Sequence, residues 1–516
     1  SLHPVRELRA GALTCLYENG NLRRIKSGQT EILRMIYPAV RDEHWNTAAY
    51  TIENENIEQT GRSFRVSYTA VYSYLSVVYR AGIRIEGKED HSIAFTMQGK
   101  AVGAFKRNRI GLCVLHPVKE CRGIPVTIKN AAGENDQRSF SDTISPHQLF
   151  TGIRQMNWTT RNNIEAVLLF EGDLFETEDQ RNWMDESYKT YSTPLSLPIP
   201  VSIHPGESMQ QRVALKVGLP GPDLSAGSIP SADRKKGKAP FPKTGFARNG
   251  FSRALLPGEM DLLSRLPFEQ YRVEIYLSNP QWKEELHQYI AEARQLGTKL
   301  ELILFFTSSY EQEMTDLPDQ LKSKEQHIAS ILPLYAGRPV TPVFLLDYGY
   351  PILKKACPGI PVGYGTDEYF TELNRERPAG ELFDFVSFSC HPQVHANDTR
   401  TLMENLPALP DIIETIRSFT KKPIAVSPVT FNGRKKPDPA NPDVREDPAD
   451  IRQRQWFGAA WTLLCLYFLR GADRITLFQT NGENGILDNG TGGPVYKVLS
   501  ELKAFQPAWM QLETDE

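Results

Sequence analysis

Thirteen consecutive residues, Glu171-Gly172-Asp173-Leu174-Phe175-Glu176-Thr177-Glu178-Asp179-Gln180-Arg181-Asn182-Trp183, hold five carboxylates, one Arg, one Asn and one Trp. Asp185 and Lys189-Thr190-Tyr191 follow closely. The apolar positions do not recur at helical spacing, and strict alternation fails after Phe175, so neither a regular helix nor a strand is expected. A bland reading makes this a solvated acidic loop capping a sheet. The Arg-Asn-Trp-x-Asp ending suits fixed polar contacts better than loose solvation. On that reading the stretch links the two halves of the chain and residues 176–183 lie over the site. Glu178 could then move a proton, and Arg181 and Asn182 could hold a polar ligand.

A second group of candidates lies in the C-terminal half. Gly365-Thr366-Asp367 is followed by Glu372-Leu373-Asn374-Arg375. His391-Pro392-Gln393-Val394-His395 comes next, then Pro428-Val429-Thr430-Phe431-Asn432-Gly433-Arg434 and Gln479-Thr480-Asn481. Amides and Arg can hold the hydroxyls or carboxylate of a small polyhydroxylated substrate, while one carboxylate or His moves a proton. The proton-transfer candidates are Glu178, Asp367, Glu372 and His395. The binding candidates are Arg181, Asn182, Arg272, Glu274, Asn374, Gln393, His391 and Gln479. For each of them the alternative is a buried polar network that ties the domains together.

The elements that position these groups change character along the chain. Up to about residue 217, runs rich in Val, Ile, Tyr and Phe (32–37, 63–71, 75–85, 91–97, 111–115, 124–128 and 164–170) are separated by turn residues. Many strands without intervening helices imply an antiparallel β-sandwich. Residues 218–243 are rich in Gly, Pro, Ser and Lys and read as a linker or long loop, with the basic run Arg234-Lys235-Lys236-Gly237-Lys238 solvated. From residue 244, strand-like runs (245–251, 271–277, 299–306, 340–347, 361–367, 384–391, 423–429, 474–480) alternate with helical patterns (282–296, 311–335, 401–419, 451–469, 495–505). Eight such units make a (β/α)8 TIM barrel over 244–516, whose active site lies at the C-terminal ends of the strands. Alternation then turns Arg272, Glu274 and Tyr276 inward on the second strand, with Ser387, Ser389 and His391 on the sixth and Ala425 and Ser427 on the seventh.

A barrel mouth of this composition admits three functions. A glycosidase needs two carboxylates across a cleft. Many barrel glycosidases place Asn-Glu at the end of strand four and Glu at the end of strand seven, where Asp347 and Ser427-Pro428 are expected here. Hydrolysis of an ester or lactone needs an activated water or nucleophile and a stabiliser of the oxyanion. There His395 or a loop carboxylate is the base, and Arg272 or Asn374 the electrophilic partner. No GxSxG elbow marks a serine hydrolase. The third function is non-catalytic carbohydrate binding. No GxGxxG or P-loop signals a nucleotide, so no cofactor is expected. His391, His395 and Asp398 are close in sequence, but a loop His-x-x-x-His is a weak metal signal and no metal is expected.

Several long motifs, in order, resemble the D-apionate lactonase family: residues 171–183 with Asp185 and Ser187-Tyr188-Lys189-Thr190-Tyr191; Asn108-Arg109-Ile110-Gly111-Leu112-Cys113-Val114-Leu115-His116-Pro117; Gly365-Thr366-Asp367 with Glu372–Arg375; Pro392-Gln393-Val394-His395-Ala396; Ser427-Pro428-Val429-Thr430; and Phe457-Gly458-Ala459-Ala460-Trp461-Thr462. The resemblance implies hydrolysis of an aldonolactone from the branched pentose apiose to the sugar acid. The chain departs from the family pattern at the mouth. His391 stands where the family has Asn, Gln479 where it tends to have Glu, and Glu274 where it tends to have Asp.

The chain has 516 residues and a net charge of −3, so there is no electrostatic case for binding nucleic acid or an anionic membrane. No apolar run approaches the roughly 20 residues of a membrane span. The six Cys form neither a CxxC pair nor a disulfide framework. That favours a reducing, cytoplasmic setting. The start at Ser1 without Met leaves export open.

Overall fold

In Val77–Lys88 the side chains of Val77, Tyr79, Ala81, Ile83 and Ile85 are buried, while Val78, Arg80 and Arg84 between them are exposed. This period of two gives a strand with one face on a core. It recurs through the first unit of the computed structural model, which describes residues 3–219, 239–249, 254–434, 449–488, 490–505 and 509–510. The chain divides into two units. One comprises Ser1–Gln180 and Glu186–Ser231, the other Arg181–Asp185 and Ala232–Glu516.

The first unit is an antiparallel β-sandwich. One layer runs Tyr50–Thr60, Ser63–Tyr74, Val77–Lys88, Ser92–Ala101, Ser208–Val217, Glu165–Glu171, Phe150–Thr159 and Pro125–Asn130. The other contains Val5–Ala10, Leu13–Glu18, Asn21–Ser27, Thr30–Asp42, Phe105–Pro117, Ser187–Tyr191 and Phe175–Asp179. Phe150–Thr159 pairs with strands of both layers. The main apolar core includes Val66, Ile83, Phe95 and Leu215 from one layer and Ile25, Leu33, Val114 and Tyr188 from the other.

The acidic stretch is more regular than its sequence suggests. Phe175–Asp179 is a strand, Gln180–Trp183 a 3-10 turn and Ser187–Tyr191 the partner strand, with Glu178 opposite Lys189. Every residue of both strands is buried, so polar side chains occupy both faces and the alternation that marks a half-exposed strand is lost.

The second unit is the TIM barrel. Its strands are Lys243–Ala247, Gln270–Tyr276, Lys299–Phe306, Ile328–Tyr335, Gly363–Tyr369, Phe385–Cys390, Ile424–Val429 and Arg474–Asn481. All neighbours pair in parallel, the first strand pairs with the eighth, and a parallel bridge between Ile331 and Val362 joins strands four and five. Ile303, Leu332, Leu334, Phe385 and Ala425 form an apolar cluster. Trp282–Leu296 shows how the outer helices are set. Trp282, Leu286, Ile290, Ala293 and Leu296 are buried at helical spacing, and Glu284 and Glu285 favour the N-terminal dipole. Gly297 ends the helix in the left-handed conformation at φ 69°.

One expected strand was misplaced. Residues 340–347 are not strand four; Val343–Ala356 is a helix entered from Pro342, and Asp347 is exposed upon it. Strand four is Ile328–Tyr335, inside the expected helix 311–335, which ends at Leu321. Both stretches are short apolar runs, and periodicity alone does not separate a buried strand from a buried helix. Most of the expected linker, and residues 250–251 of the first expected strand, lie outside the described residues. All six Cys are buried and unpaired. Among the described residues no helix is long and apolar enough to cross a membrane.

Candidate active site

Arg272 and Glu274 are two residues apart on the second barrel strand, so their side chains leave the same face. Arg272 Nη2 donates to Glu274 Oε1 at 2.9 Å. Its Nη1 donates to Ser427 Oγ at 3.2 Å and to the Ser427 carbonyl at 3.4 Å, on the seventh strand. Arg434, in the loop after that strand, pairs through Nη2 with the same Glu274 oxygen. Arg434 Nη1 lies 3.6 Å from Asp367 Oδ2 on the fifth strand. One carboxylate therefore holds two guanidiniums, and the second guanidinium reaches a further carboxylate. Arg272 is 1% exposed, whereas Glu274 and Asp367 keep side-chain exposures of 18% and 21%. The array thus runs from a buried end at Arg272 to a partly exposed end at Asp367. Arg434, Asn432, Thr430, Gln453, Gln479 and Asn484 line a small hollow of about 10 Å³, room for about one water.

Beside Asp367 stands a second polar pair. The Tyr369 hydroxyl is 2.5 Å from His391 Nε2, and the Gln393 backbone N–H donates to His391 Nδ1 at 3.3 Å. Ser389 Oγ donates to the carbonyls of Asp367 and Glu368 at 2.8 and 2.5 Å, tying the end of strand five to strand six. Burial lowers the His391 imidazole to about 4, and burial followed by the Glu368 charge raises the Tyr369 phenol to about 12. Both are therefore neutral near pH 7. Gly433 packs against the pair. A Cβ there would lie 3.0 Å from His391 Nε2 and 3.6 Å from the Tyr369 oxygen.

Arg181–Asp185 belongs to the barrel unit, and its side chains are engaged by barrel loops. Arg181 Nη1 donates to Asp411 Oδ2 at 3.1 Å, both side chains being buried. Asn374 Nδ2 donates to Asn182 Oδ1 at 2.9 Å. Asp185 accepts from Asn405 Nδ2 at 2.6 Å and meets His395 Nδ1 at 2.5 Å. The Trp183 ring sits edge-on to His395, and Arg375 stacks over Trp183. The carboxylate on Nδ1 orients the His395 ring, the way a second group positions an imidazole.

The structure thus gathers Arg272, Glu274 and Asp367 into one polar network through Arg434, with Gln479 on the hollow that Arg434 also lines, and it sets His391 in a separate pair with Tyr369. His395, Arg181, Asn182 and Asn374 form a second group around residues 181–185. Glu372 sits on the short helix Phe370–Arg375, 3.8 Å from Arg375. Gln393 is engaged at both ends of its amide: Nε2 donates to the Phe431 carbonyl and Asp450, and Oε1 accepts from Arg452. Glu178 belongs to the sandwich unit, buried 3.5 Å from Lys189 Nζ. Burial lowers the Lys189 ammonium from its usual range. His391, His395 and Asp398 go to three different partners, since Asp398 caps the helix Thr399–Glu404. Among the described residues no three His, Cys, Asp or Glu side chains converge to hold a metal.

Sequence reasoning set Arg434 in the loop after strand seven and Asp185 at the end of the acidic stretch without giving either a role, and it left Tyr369 out. Tyr369 is two residues beyond Asp367, so extending the fifth strand by one further alternation would have placed both on one face. Asp185 carried no signal beyond its place after Arg181-Asn182-Trp183.

Family models for the D-apionate lactonase N-terminal domain and the D-apionate lactonase TIM barrel domain match residues 1–219 and 251–507. A D-apionate lactonase of Brucella anthropi is 28% identical over 520 residues, covering 94% of this chain and 84% of that protein. Similar solved structures include an α-L-arabinofuranosidase from Thermotoga maritima (13% identity, 52% of this chain and 72% of that one, TM-score 0.39). Another is a family 39 glycoside hydrolase from Bacteroides cellulosilyticus WH2 (12% identity, 78% and 81%, TM-score 0.36). Matched in both of its domains, the chain belongs to the D-apionate lactonase family and is a hydrolase.

Proposed function

We propose that the chain opens a sugar-derived lactone, an aldonolactone of the D-apionolactone type, to the sugar acid. The observation that carries this reading is Arg434, set at the barrel mouth between Glu274 and Asp367. Lactone opening needs a base for the attacking water and a positive charge where the carbonyl oxygen becomes an oxyanion. Asp367 takes the water proton as the water oxygen bonds to the carbonyl carbon. Arg434 faces the oxyanion. Glu274 holds Arg434 in place and is itself anchored by Arg272. Asn432, Gln479 and Asn484, which line the small hollow beside Arg434, carry amides of the kind that hold sugar hydroxyls. The Brucella relative's name supplies the substrate class.

A glycosidase would need one of its carboxyls to deliver a proton to the leaving oxygen. Glu274 faces two guanidiniums, an arrangement for clamping cations rather than carrying a proton. The test is a screen of the purified protein on D-apionolactone, other aldonolactones and aryl glycosides, with and without chelator. Ring opening of an aldonolactone is the expected result. Glycoside cleavage without lactone turnover would refute the assignment, and saccharide binding without turnover of either would make this a binding protein.

A further inference from the structure

We infer that Tyr369, aligned by His391, is the acid that protonates the departing ring oxygen. The inference rests on the lactone reading above. The Gln393 N–H points at His391 Nδ1, which makes Nδ1 the ring's acceptor and places the ring proton on Nε2. Nε2–H then donates to the Tyr369 oxygen across 2.5 Å. A phenol that accepts in this way turns its own proton elsewhere. The neighbouring residue is Gly433, which packs close against the pair because it carries no side chain, and Arg434 comes next in the chain.

The chemistry needs such a group. When the tetrahedral adduct collapses, the bond from the carbonyl carbon to the ring oxygen breaks and the oxygen leaves as a sugar alkoxide, a poor leaving group unless protonated. Tyr369 gives its proton to that oxygen, and His391 Nε2–H stabilises the resulting phenolate. The proton that Asp367 took from water returns to Tyr369 through solvent, so the net reaction is lactone plus water to hydroxy acid. The high Tyr369 pKa keeps the proton in place until an alkoxide demands it. His391 is the positioning residue.

Tyr369→Phe is to be assayed on an aldonolactone and on the aldonothiolactone of the same ring, whose thiolate leaves without protonation. The expected result is a loss in kcat of about 10²-fold or more on the oxygen lactone, and under about threefold on the thiolactone relative to wild type. Equal losses on both would make Tyr369 structural, and an unchanged lactone rate would remove it from the reaction; either overturns the inference. His391→Leu, which deletes the donor to the phenol, should show the same split to a smaller extent, and it serves if Tyr369→Phe does not fold. Wild-type protein that opens no lactone contradicts the proposed function itself, a different outcome from a wild type that works and a variant that works as well.

Discussion

Replacing Glu274 by Gln keeps the shape of the side chain and one acceptor oxygen for Arg272 Nη2, but removes the charge. Arg272 is 1% exposed, and its other partners are the neutral hydroxyl and carbonyl of Ser427. Removing one member of a buried ion pair costs roughly 3–5 kcal/mol, because the remaining charge stays out of water. Glu274 is partly open at 18% exposure, and Gln retains the hydrogen bond. The expected loss is therefore about 2–3 kcal/mol. The control is Glu86→Gln in the sandwich. Glu86 pairs with Arg84 and Arg65 at the surface, with side chains 56% and 55% exposed on the Arg side. Its loss should stay within about 0.5 kcal/mol. Urea unfolding followed by helical circular dichroism isolates the barrel, since the described part of the sandwich contains only the four-residue helix Val118–Cys121. The sandwich control is followed through the strand signal. A Glu274→Gln loss below about 0.5 kcal/mol would show that the guanidinium array is solvated, and the reasoning about Arg434 would go with it.

His116 is fully buried, its Nε2 meets Thr190 Oγ1 at 2.8 Å, and burial lowers it to about 3 against an ordinary 6.5. The unfolded chain binds the extra proton between those values, so the stabilisation is complete above about pH 6.5 and is lost as pH falls toward 3. A loss of about 5 kcal/mol is expected across that window, and His116→Gln should flatten the profile; an unchanged slope speaks against it. Gly365→Ala should express mainly as insoluble protein, because its Cβ would lie 2.0 Å from the Ser387 carbonyl on the adjoining strand. A soluble variant within about 1 kcal/mol of wild type would show that the strands can shift. Asp185→Asn should raise exchange and mobility of the His395 ring in NMR spectra and cost about 1–3 kcal/mol of barrel stability; an unperturbed His395 resonance would contradict the contact.

The barrel was legible because the expected strand-like runs overlap seven of its eight strands, and because Arg272 and Glu274 sit at a spacing of two. Strand four was not, since Ile328–Tyr335 closely follows a true helix, and a short buried apolar run is not told from a continuing helix by periodicity. At the site, polar residues inside a strand announced themselves by being out of place, as with Arg272. Arg434 and Tyr369 did not, because a charge in a basic run and an aromatic beside a strand end are ordinary. Their meaning lies in what they face across the barrel, Glu274 and His391, and that is set by tertiary structure. The acidic stretch shows the same limit. Its types foretold fixed contacts, and Arg181–Asp185 makes them, but Glu178 belongs to a buried sandwich pair with Lys189 that no local pattern reveals.

Asp367→Asn, assayed for ring opening of D-apionolactone by pH-stat beside the wild type, is the most direct measurement. The variant keeps an acceptor toward Arg434 and loses only the base. A fall in kcat of about 10²-fold or more with KM little changed is expected. A kcat within about threefold of wild type would contradict the role of Asp367 and, with it, the placing of the reaction at the Arg434 end of the barrel mouth.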